Sequence, residues 1–301
     1  MAEAKALFLA YDPESNFDSP SPRVLIADSS ADPFLVGSRI AFARRVGRMI
    51  EDRNELSAIL ENRRVRFRSF DLEPKNKPAD PENVLRGVDA TVDLVSPDYE
   101  VTLVRGEAEF LAITAPGTMR QGWSLRRPRK RPFFHPSAIF PKLSRALVNL
   151  SRCKEGDIFF DPFAGTGSIP IEAHIVGASV VAMDQAQKMV RGALANMKHF
   201  EQDWLGVLRA DSTMQPMTQA DAIATDIPYG RASSTRGRSP VEILDLLLPA
   251  LTDVLKPSSM LVLMHPQEIS INATSELSVV EEHNLHVHKL LTRTITVLRR
   301  R

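Results

Sequence analysis

The eight residues Asp161-Pro162-Phe163-Ala164-Gly165-Thr166-Gly167-Ser168 join an apolar strand to an apolar helix across a bend that holds two glycines. Before the bend, Lys154 to Phe160 has the pattern of a turn and then a strand. After it, Ile169, Ala173 and Val176 recur at the spacing of one helix face. The chain must reverse within a few residues, and Gly165 and Gly167 permit this because a residue without Cβ takes dihedrals that others avoid. They also leave room for a ligand against the backbone, at a helix N-terminus whose free N–H groups carry partial positive charge. Two common ligands fit poorly. A dinucleotide turn has a third small residue where this chain has Pro170, and no Gly-Lys-Ser/Thr follows to hold a triphosphate. Taken alone, the bend is equally a tight turn in any α/β protein.

A second stretch narrows the choice. Asp221 to Thr225 is an apolar strand that runs into Asp226-Ile227-Pro228-Tyr229-Gly230. In an open parallel sheet, ligands bind beyond the carboxyl ends of the strands, so a carboxylate and an aromatic there face the same crevice as the glycine bend.

Together the two motifs resemble those of class I S-adenosylmethionine-dependent methyltransferases that modify exocyclic amino groups, whose signature is Asp/Asn-Pro-Pro followed by Tyr, Phe or Trp. With Arg131-Pro132-Phe133-Phe134-His135-Pro136 about thirty residues before Asp161, the chain is similar to the archaeal-type tRNA (guanine-N2) methyltransferases, which act on the guanine at position ten. The resemblance is strong over residues 120 to 300. It departs at Ile227, where that family has its first proline; the position contributes a backbone carbonyl, which isoleucine also supplies.

The resemblance implies S-adenosyl-L-methionine as methyl donor, tRNA as substrate, and a role for each matching residue. Asp161, Phe163, Gly165, Thr166 and Gly167 would surround the donor, and Asp211 with Ser212 would meet its adenine amino group. Asp226, Ile227, Pro228 and Tyr229 would form the catalytic turn. There the Asp226 carboxylate and the Ile227 carbonyl would each take one N–H of the amine, and Tyr229 would stack on the extruded base. The chemistry favours such a pair, because the lone pair of guanine N2 is delocalised into the ring and must be oriented before it attacks.

Between these motifs the chain alternates strand and helix. Pro136 to Leu150 has helical spacing through Ile139, Leu143, Ala146, Leu147 and Leu150. Ala178 to Met183 is a strand ending in Asp184, placed to accept hydrogen bonds from ribose hydroxyls, or else to serve as a carboxylate at the start of the helix Ala186 to Lys198. Val207 to Ala210 is a third strand, Ser239 to Leu255 a helix, and Ser259 to Met264 a further strand. Leu277 to Val287 and Leu291 to Leu298 read as a closing hairpin. The expected fold is α/β, with a doubly wound seven-stranded methyltransferase sheet at the C-terminal end.

The first half reads differently. Lys5 to Tyr11, Arg23 to Ala27 and Arg39 to Gly47 are read as strands, and Asn54 to Glu61 as a short helix. Arg64-Val65-Arg66-Phe67-Arg68 alternates, placing three cations on one face of a strand; that face is either solvated or suited to a phosphate backbone. A proline-rich interruption follows, and strands resume at Ala90 to Val95, Tyr99 to Val104 and Glu109 to Thr114. By resemblance this α+β region is a THUMP-like RNA-binding domain. The expected organisation is a THUMP-like region over 1–115, a basic connector over 116–136, and the methyltransferase domain over 137–301.

Net charge is only +1, so attraction to nucleic acid must come from uneven distribution. From Phe110 to Lys154 there are ten Lys or Arg and no Asp or Glu. Arg126, Arg127, Arg129, Lys130 and Arg131 are the candidate phosphate contacts, with Trp123, Phe133, Phe134 and His135 interleaved; an inert basic linker is the competing reading. The loop Arg231 to Arg238 carries three more arginines and is either a cover for the base or an ordinary loop.

A single cysteine, Cys153, excludes an internal disulfide and a thiolate-rich zinc site, and no His/Cys cluster asks for a metal. With no long apolar run and no leader pattern in Met-Ala-Glu-Ala-Lys, the expectation is a cytoplasmic monomer without membrane contact, a small partner protein being left open. Two other functions stay in view: an amino methyltransferase acting on ribosomal RNA guanine or DNA adenine, and an inactive tRNA-binding module.

Overall fold

The structure is a computed structural model that describes residues 1–72, 79–106, 109–114, 122–214, 216–228, 239–288 and 291–301. They divide into two compact units, Glu3–Gln121 and Gly122–Arg301. Among the described residues no helix is long and apolar enough to cross a membrane.

The first unit opens with a helix, α1 (Ala2–Tyr11), where a strand was expected. A short apolar run has no period that separates strand from buried helix, and the alanines of Ala-Glu-Ala-Lys-Ala favour the helix. Leu7 packs with Val36 and Ile40. A hairpin follows, β1 (Asn16–Ser21) and β2 (Val24–Asp28), and then α2 (Pro33–Arg39). The expected strand Arg39 to Gly47 is irregular chain. Its start belongs to α2, which Asp32 caps by accepting from Phe34 N at 2.9 Å, with Pro33 in the first turn. Its backbone is held by a side chain in place of a strand ladder: the buried Glu3 carboxylate accepts from Ala41 N and Phe42 N at 2.8 and 3.0 Å.

The remaining elements are β3 (Arg48–Ile50), α3 (Arg53–Leu60), β4 (Arg63–Asp71), α4 (Pro81–Leu85), β5 (Ala90–Val92), β6 (Tyr99–Arg105) and β7 (Glu109–Thr114). They build a five-stranded sheet in the order β3-β7-β6-β4-β5 over a core of Ile50, Leu56, Leu60, Val65, Val101 and Ile113. The alternation in β4 does put Val65 inside. Its three cations, however, meet carboxylates: Arg64 pairs with Asp98 at 2.9 Å, and Arg66 and Arg68 lie 3.9 and 3.6 Å from Glu100. That face is an ion-paired surface.

The second unit begins with a single 3-10 turn, Pro128–Lys130, and α5 (Pro141–Leu150). α5 starts five residues later than its apolar spacing suggests, because Pro141 keeps Phe140 extended and itself takes the first helical position. Then come β8 (Ile158–Asp161), α6 (Ser168–Ile175), β9 (Ser179–Asp184), α7 (Gln187–His199), β10 (Gly206–Arg209) and β11 (Ala220–Asp226). The chain finishes with α8 (Pro240–Val254), β12 (Leu255–Pro266), β13 (Leu277–His288) and β14 (Leu291–Arg300). Ser239 and Glu242 form a capping box at the start of α8.

The sheet order is β10-β9-β8-β11-β12-β14-β13, with the first five strands parallel and β14 antiparallel to both neighbours. This is the seven-stranded, doubly wound α/β sheet. Strand order reverses between β8 and β11, and a crevice opens beyond the carboxyl ends at such a reversal. Those two ends are Asp161 and Asp226.

Candidate active site

Asp161 is 1% exposed and links the two strand ends directly. Its Oδ1 accepts from Phe163 N at 3.1 Å, which shapes the bend after β8, and from Thr225 Oγ1 at 2.6 Å, one residue before Asp226. Oδ2 is buried with no hydrogen-bond partner among the described residues. Burial pushes the carboxyl up to about 7; the hydrogen bonds from Thr225 and Phe163 work against this, and the charges of Asp184 and Asp226 add to it.

The two glycines serve different ends. Gly167 caps α6 in a left-handed conformation, φ 81°, and a Cβ there would lie 2.8 Å from Trp204 Cη2, so this position is closed by packing. Gly165 is also left-handed, φ 53°, yet a Cβ would meet nothing nearer than Phe163 O at 4.0 Å. The backbone at Gly165 is thus open to an approaching group. Phe163 is half-buried against the core, and Thr166 points inward, its Oγ1 lying 3.2 Å from Ser168 Oγ. The Thr166 side chain therefore shapes the bend from within and does not reach over it.

Asp184 bridges the bend to the next helix. Its Oδ2 accepts from Gly165 N at 3.0 Å and its Oδ1 from Ala186 N at 2.8 Å, so it holds both the glycine bend and the turn that leads into α7. Burial raises its pKa, opposed by these two hydrogen bonds. Asp211 lies past β10 in a tight turn, accepting from Thr213 N and Oγ1 at 3.1 and 2.8 Å beside the buried Ser212.

At the end of β11, Asp226 Oδ2 accepts from Arg293 Nη1 at 2.9 Å, while Oδ1 is buried with no hydrogen-bond partner among the described residues. Burial drives this carboxyl up to about 6, against the pull of the Arg293 charge and hydrogen bond. Ile227 is fully buried in the core with Phe160, Leu244 and Leu263, and its N–H donates to Met264 O at 2.9 Å. A proline at 227 would lack that donor, so isoleucine extends the pairing of β11 with β12 by one bond. Pro228 follows, partly exposed. Tyr229 and the arginine loop Arg231 to Arg238 lie outside the described residues.

The basic segment divides into an inner and an outer set. Two of its five candidate phosphate contacts are turned inward, which corrects the expectation for them. Arg126 forms a fork with the buried Glu172, Nε to Oε1 at 2.7 Å and Nη2 to Oε2 at 3.2 Å. Arg131 is 4% exposed, donating to Ser168 Oγ at 2.6 Å and Arg126 O at 3.0 Å, and burial lowers its pKa to about 10. Arg127, Arg129 and Lys130 are exposed, with Arg129 over the Phe134 ring. The segment is fixed by Asn196 on α7, whose side chain bonds both Phe133 N and Phe133 O and also Thr166 O, at 2.9 to 3.0 Å.

Sequence reasoning missed Arg293, Thr225, Asn196 and Glu172. Arg293 had a signal: it shares one strand face with Ile295 and Val297, and a cation on an apolar face calls for a buried partner. Together the strand ends offer unpartnered carboxylate oxygens on Asp161 and Asp226 beside an open glycine backbone. Such a set accepts hydrogen bonds from amines and hydroxyls and stabilises positive charge.

A family profile described as RMKL-like, methyltransferase domain, matches residues 128–294, more than half of the chain. Over 184 residues the chain is 35% identical to the tRNA (guanine(10)-N2)-dimethyltransferase of Methanothermobacter thermautotrophicus, covering 60% of this chain and 55% of that protein. Over 168 residues it is 33% identical to the probable tRNA (guanine(10)-N2)-dimethyltransferase of Methanothermococcus thermolithotrophicus, covering 53% of this chain and 98% of that protein. Among solved structures, TrmN from Thermus thermophilus is similar at 22% identity and a TM-score of 0.48, covering 90% of this chain and 79% of that one. The chain spans about half the length of the first of these relatives. By the extent of the profile match and the near-complete coverage of the second relative, the chain belongs to the RMKL-like methyltransferase-domain family.

Proposed function

We propose that this chain transfers a methyl group from S-adenosylmethionine to the exocyclic N2 of a guanine in tRNA, the guanine at position ten. The observation that carries the reading is the 2.6 Å bond from Thr225 to Asp161, which ties the glycine bend to the strand that presents Asp226. Relatives named for this activity support it.

The residues at the bend fit the donor. Its hydroxyls and amino groups would find acceptors at Asp161 Oδ2, Asp184 and Asp211, and its carboxylate the free N–H groups at the start of α6, with Gly165 leaving the backbone open. When bound, it supplies an electrophilic methyl on a cationic sulfur. The protein's own part is to orient the amine: Asp226 Oδ1 and the Ile227 carbonyl each accept one N–H, which draws the nitrogen lone pair out of conjugation and toward the methyl. Tyr229 would stack on the base. Proximity and the negative charge of the strand ends supply the acceleration.

On the RNA side, Arg127, Arg129 and Lys130 would meet phosphates. So would Lys188 and Arg191, which line a groove with Pro132, Phe133 and Gly192. Region 1–115 would act as a THUMP-like domain and 137–301 as the catalytic domain of a cytoplasmic monomer; of the expected connector 116–136, residues 122–136 belong to the same compact unit as the catalytic domain. Replacing Arg127, Arg129 and Lys130 together by Gln should weaken tRNA binding and lower the slope of log K against log salt by about two to three. A filter-binding titration at several salt concentrations measures it, and an unchanged slope would return the outer set to the status of linker.

Labelled donor offered with tRNA, ribosomal RNA and DNA in separate reactions tests the substrate. Label in tRNA alone is expected. Label confined to DNA, or none with tRNA still bound, would defeat the proposal.

A further inference from the structure

The Asp226 carboxylate is gripped from two strands away. Arg293 stands on β14, paired in register with Pro266 of β12, and reaches past the Met264 sulfur at 3.7 Å to place Nη1 2.9 Å from Asp226 Oδ2. Both side chains are less than a fifth exposed. A buried ion pair is seldom better for stability than apolar residues of the same volume, and the neighbours of Arg293 along its strand face, Ile295 and Val297, are apolar and buried. The pair therefore calls for a reason in the chemistry of the site.

We propose that Arg293 is a positioning residue for methyl transfer: its guanidinium holds Oδ2 of Asp226, keeping the carboxylate ionised and turning Oδ1 alone toward the amine. This rests on the reading of Asp226 as the acceptor for the amine. With Oδ2 engaged by Arg293, the carboxylate offers Oδ1 to one N–H, and the other must go to the Ile227 carbonyl, which fixes the nitrogen in one orientation. For the nitrogen to gain its bond to the methyl carbon, the carbon–sulfur bond of the donor would break and its electron pair leave with the sulfur as a neutral thioether, while one N–H bond breaks and its proton passes to Oδ1. The carboxylic acid so formed then loses the proton to water and is again a carboxylate. That cycle needs an ionised Asp226 at its start.

Burial alone opposes ionisation there, since it is the largest influence on this carboxyl and acts upward. The charged groups facing it among the described residues are few. Arg293 from β14 favours the ionised form, and the carboxylate on the neighbouring strand β8 is Asp161, whose own carboxyl the Asp226 charge raises. β12 contributes the uncharged Met264, while the His265 ring is engaged with Pro266 O and Thr296 Oγ1.

The test follows the Asp226 carboxyl by 13C NMR in the full chain as pH is varied, alongside initial rates of methylation, for the unaltered protein, Arg293→Met and Arg293→Lys. In Arg293→Met the midpoint should rise by about one to three pH units. Its rate at pH 7 should fall about two-fold for a rise of one unit and about a hundred-fold for three, and recover as pH passes the new midpoint. Arg293→Lys keeps the charge and should titrate close to the unaltered protein; this arm decides the matter if the Met variant does not fold. A midpoint that stays put in Arg293→Met, a loss of rate equal at every pH, or a Lys variant titrating as high as Met is expected to would each overturn the inference. Unaltered protein that labels no tRNA while the midpoint still moves would sink the proposed function and leave the role of Arg293 in setting the charge of Asp226 intact.

Discussion

Replacing Asp226 by Asn lowers the rate of methyl transfer about a thousand-fold and leaves the affinity for the methyl donor within about two-fold, because Arg293 takes the amide oxygen and so turns the NH2 group, a donor, to where the amine needs an acceptor. The separation of the two effects comes from the fold. The donor-side residues stand on β8, β9, the bend between β8 and α6 and the turn after β10, and they keep their hydrogen bonds when Asp226 changes, since Thr225 and not Asp226 bonds to Asp161. Equilibrium binding of the donor and single-turnover rates with tRNA measure both quantities. Parallel loss of both would mean that the carboxylate supports the sheet ends and takes no part in the chemistry.

The second large effect is on stability. Glu172 on α6 is 0% exposed, and its carboxylate is shared by two guanidiniums, a fork from Arg126 and a contact from Arg145 at 2.9 Å. Both guanidiniums also lie over the Trp123 ring, at 5.1 and 5.6 Å. Glu172→Ala leaves two cations close together and cut off from water, and this should destabilise the protein by about 3–5 kcal/mol. The loss should centre on the packing of residues 123–131 against α6. Denaturant unfolding measures it, and a change below about 1 kcal/mol would contradict the account.

Much of the catalytic half was legible because its signals are local. The glycine bend, the alternation of apolar runs and the carboxylates at strand ends each sit within a few residues of the feature they mark. Asp32-Pro33 is an equally local start signal for α2, a helix that the sequence reading leaves unassigned. Lys5 to Tyr11 failed for a different reason: its apolar run is too short to have a decisive period, and its packing on Val36 and Ile40 settles the matter from a distance.

The basic segment exposes the limit of composition. Five cations in six residues look alike in a sequence, yet Arg126 and Arg131 turn inward because Glu172 and Ser168, some forty residues on, are waiting for them. Arg64, Arg66 and Arg68 repeat the lesson on a sheet, where carboxylates on and just before the neighbouring strand β6 decide that the face is paired. Arg293 is the clearest case. Its partner is 67 residues away, and only the sheet order β11-β12-β14 brings the two together.

The central claim is that the bend at Gly165 and the turn at Asp226 work over one crevice on a single exocyclic amine. Nucleoside-resolved mass spectrometry of an unmodified tRNA transcript, after incubation with the protein and S-adenosylmethionine, tests it most directly. The account expects methyl groups on guanine N2 at position ten and none in a transcript with adenine there. Methylation of a ring nitrogen, of a ribose or of a different nucleotide would contradict it.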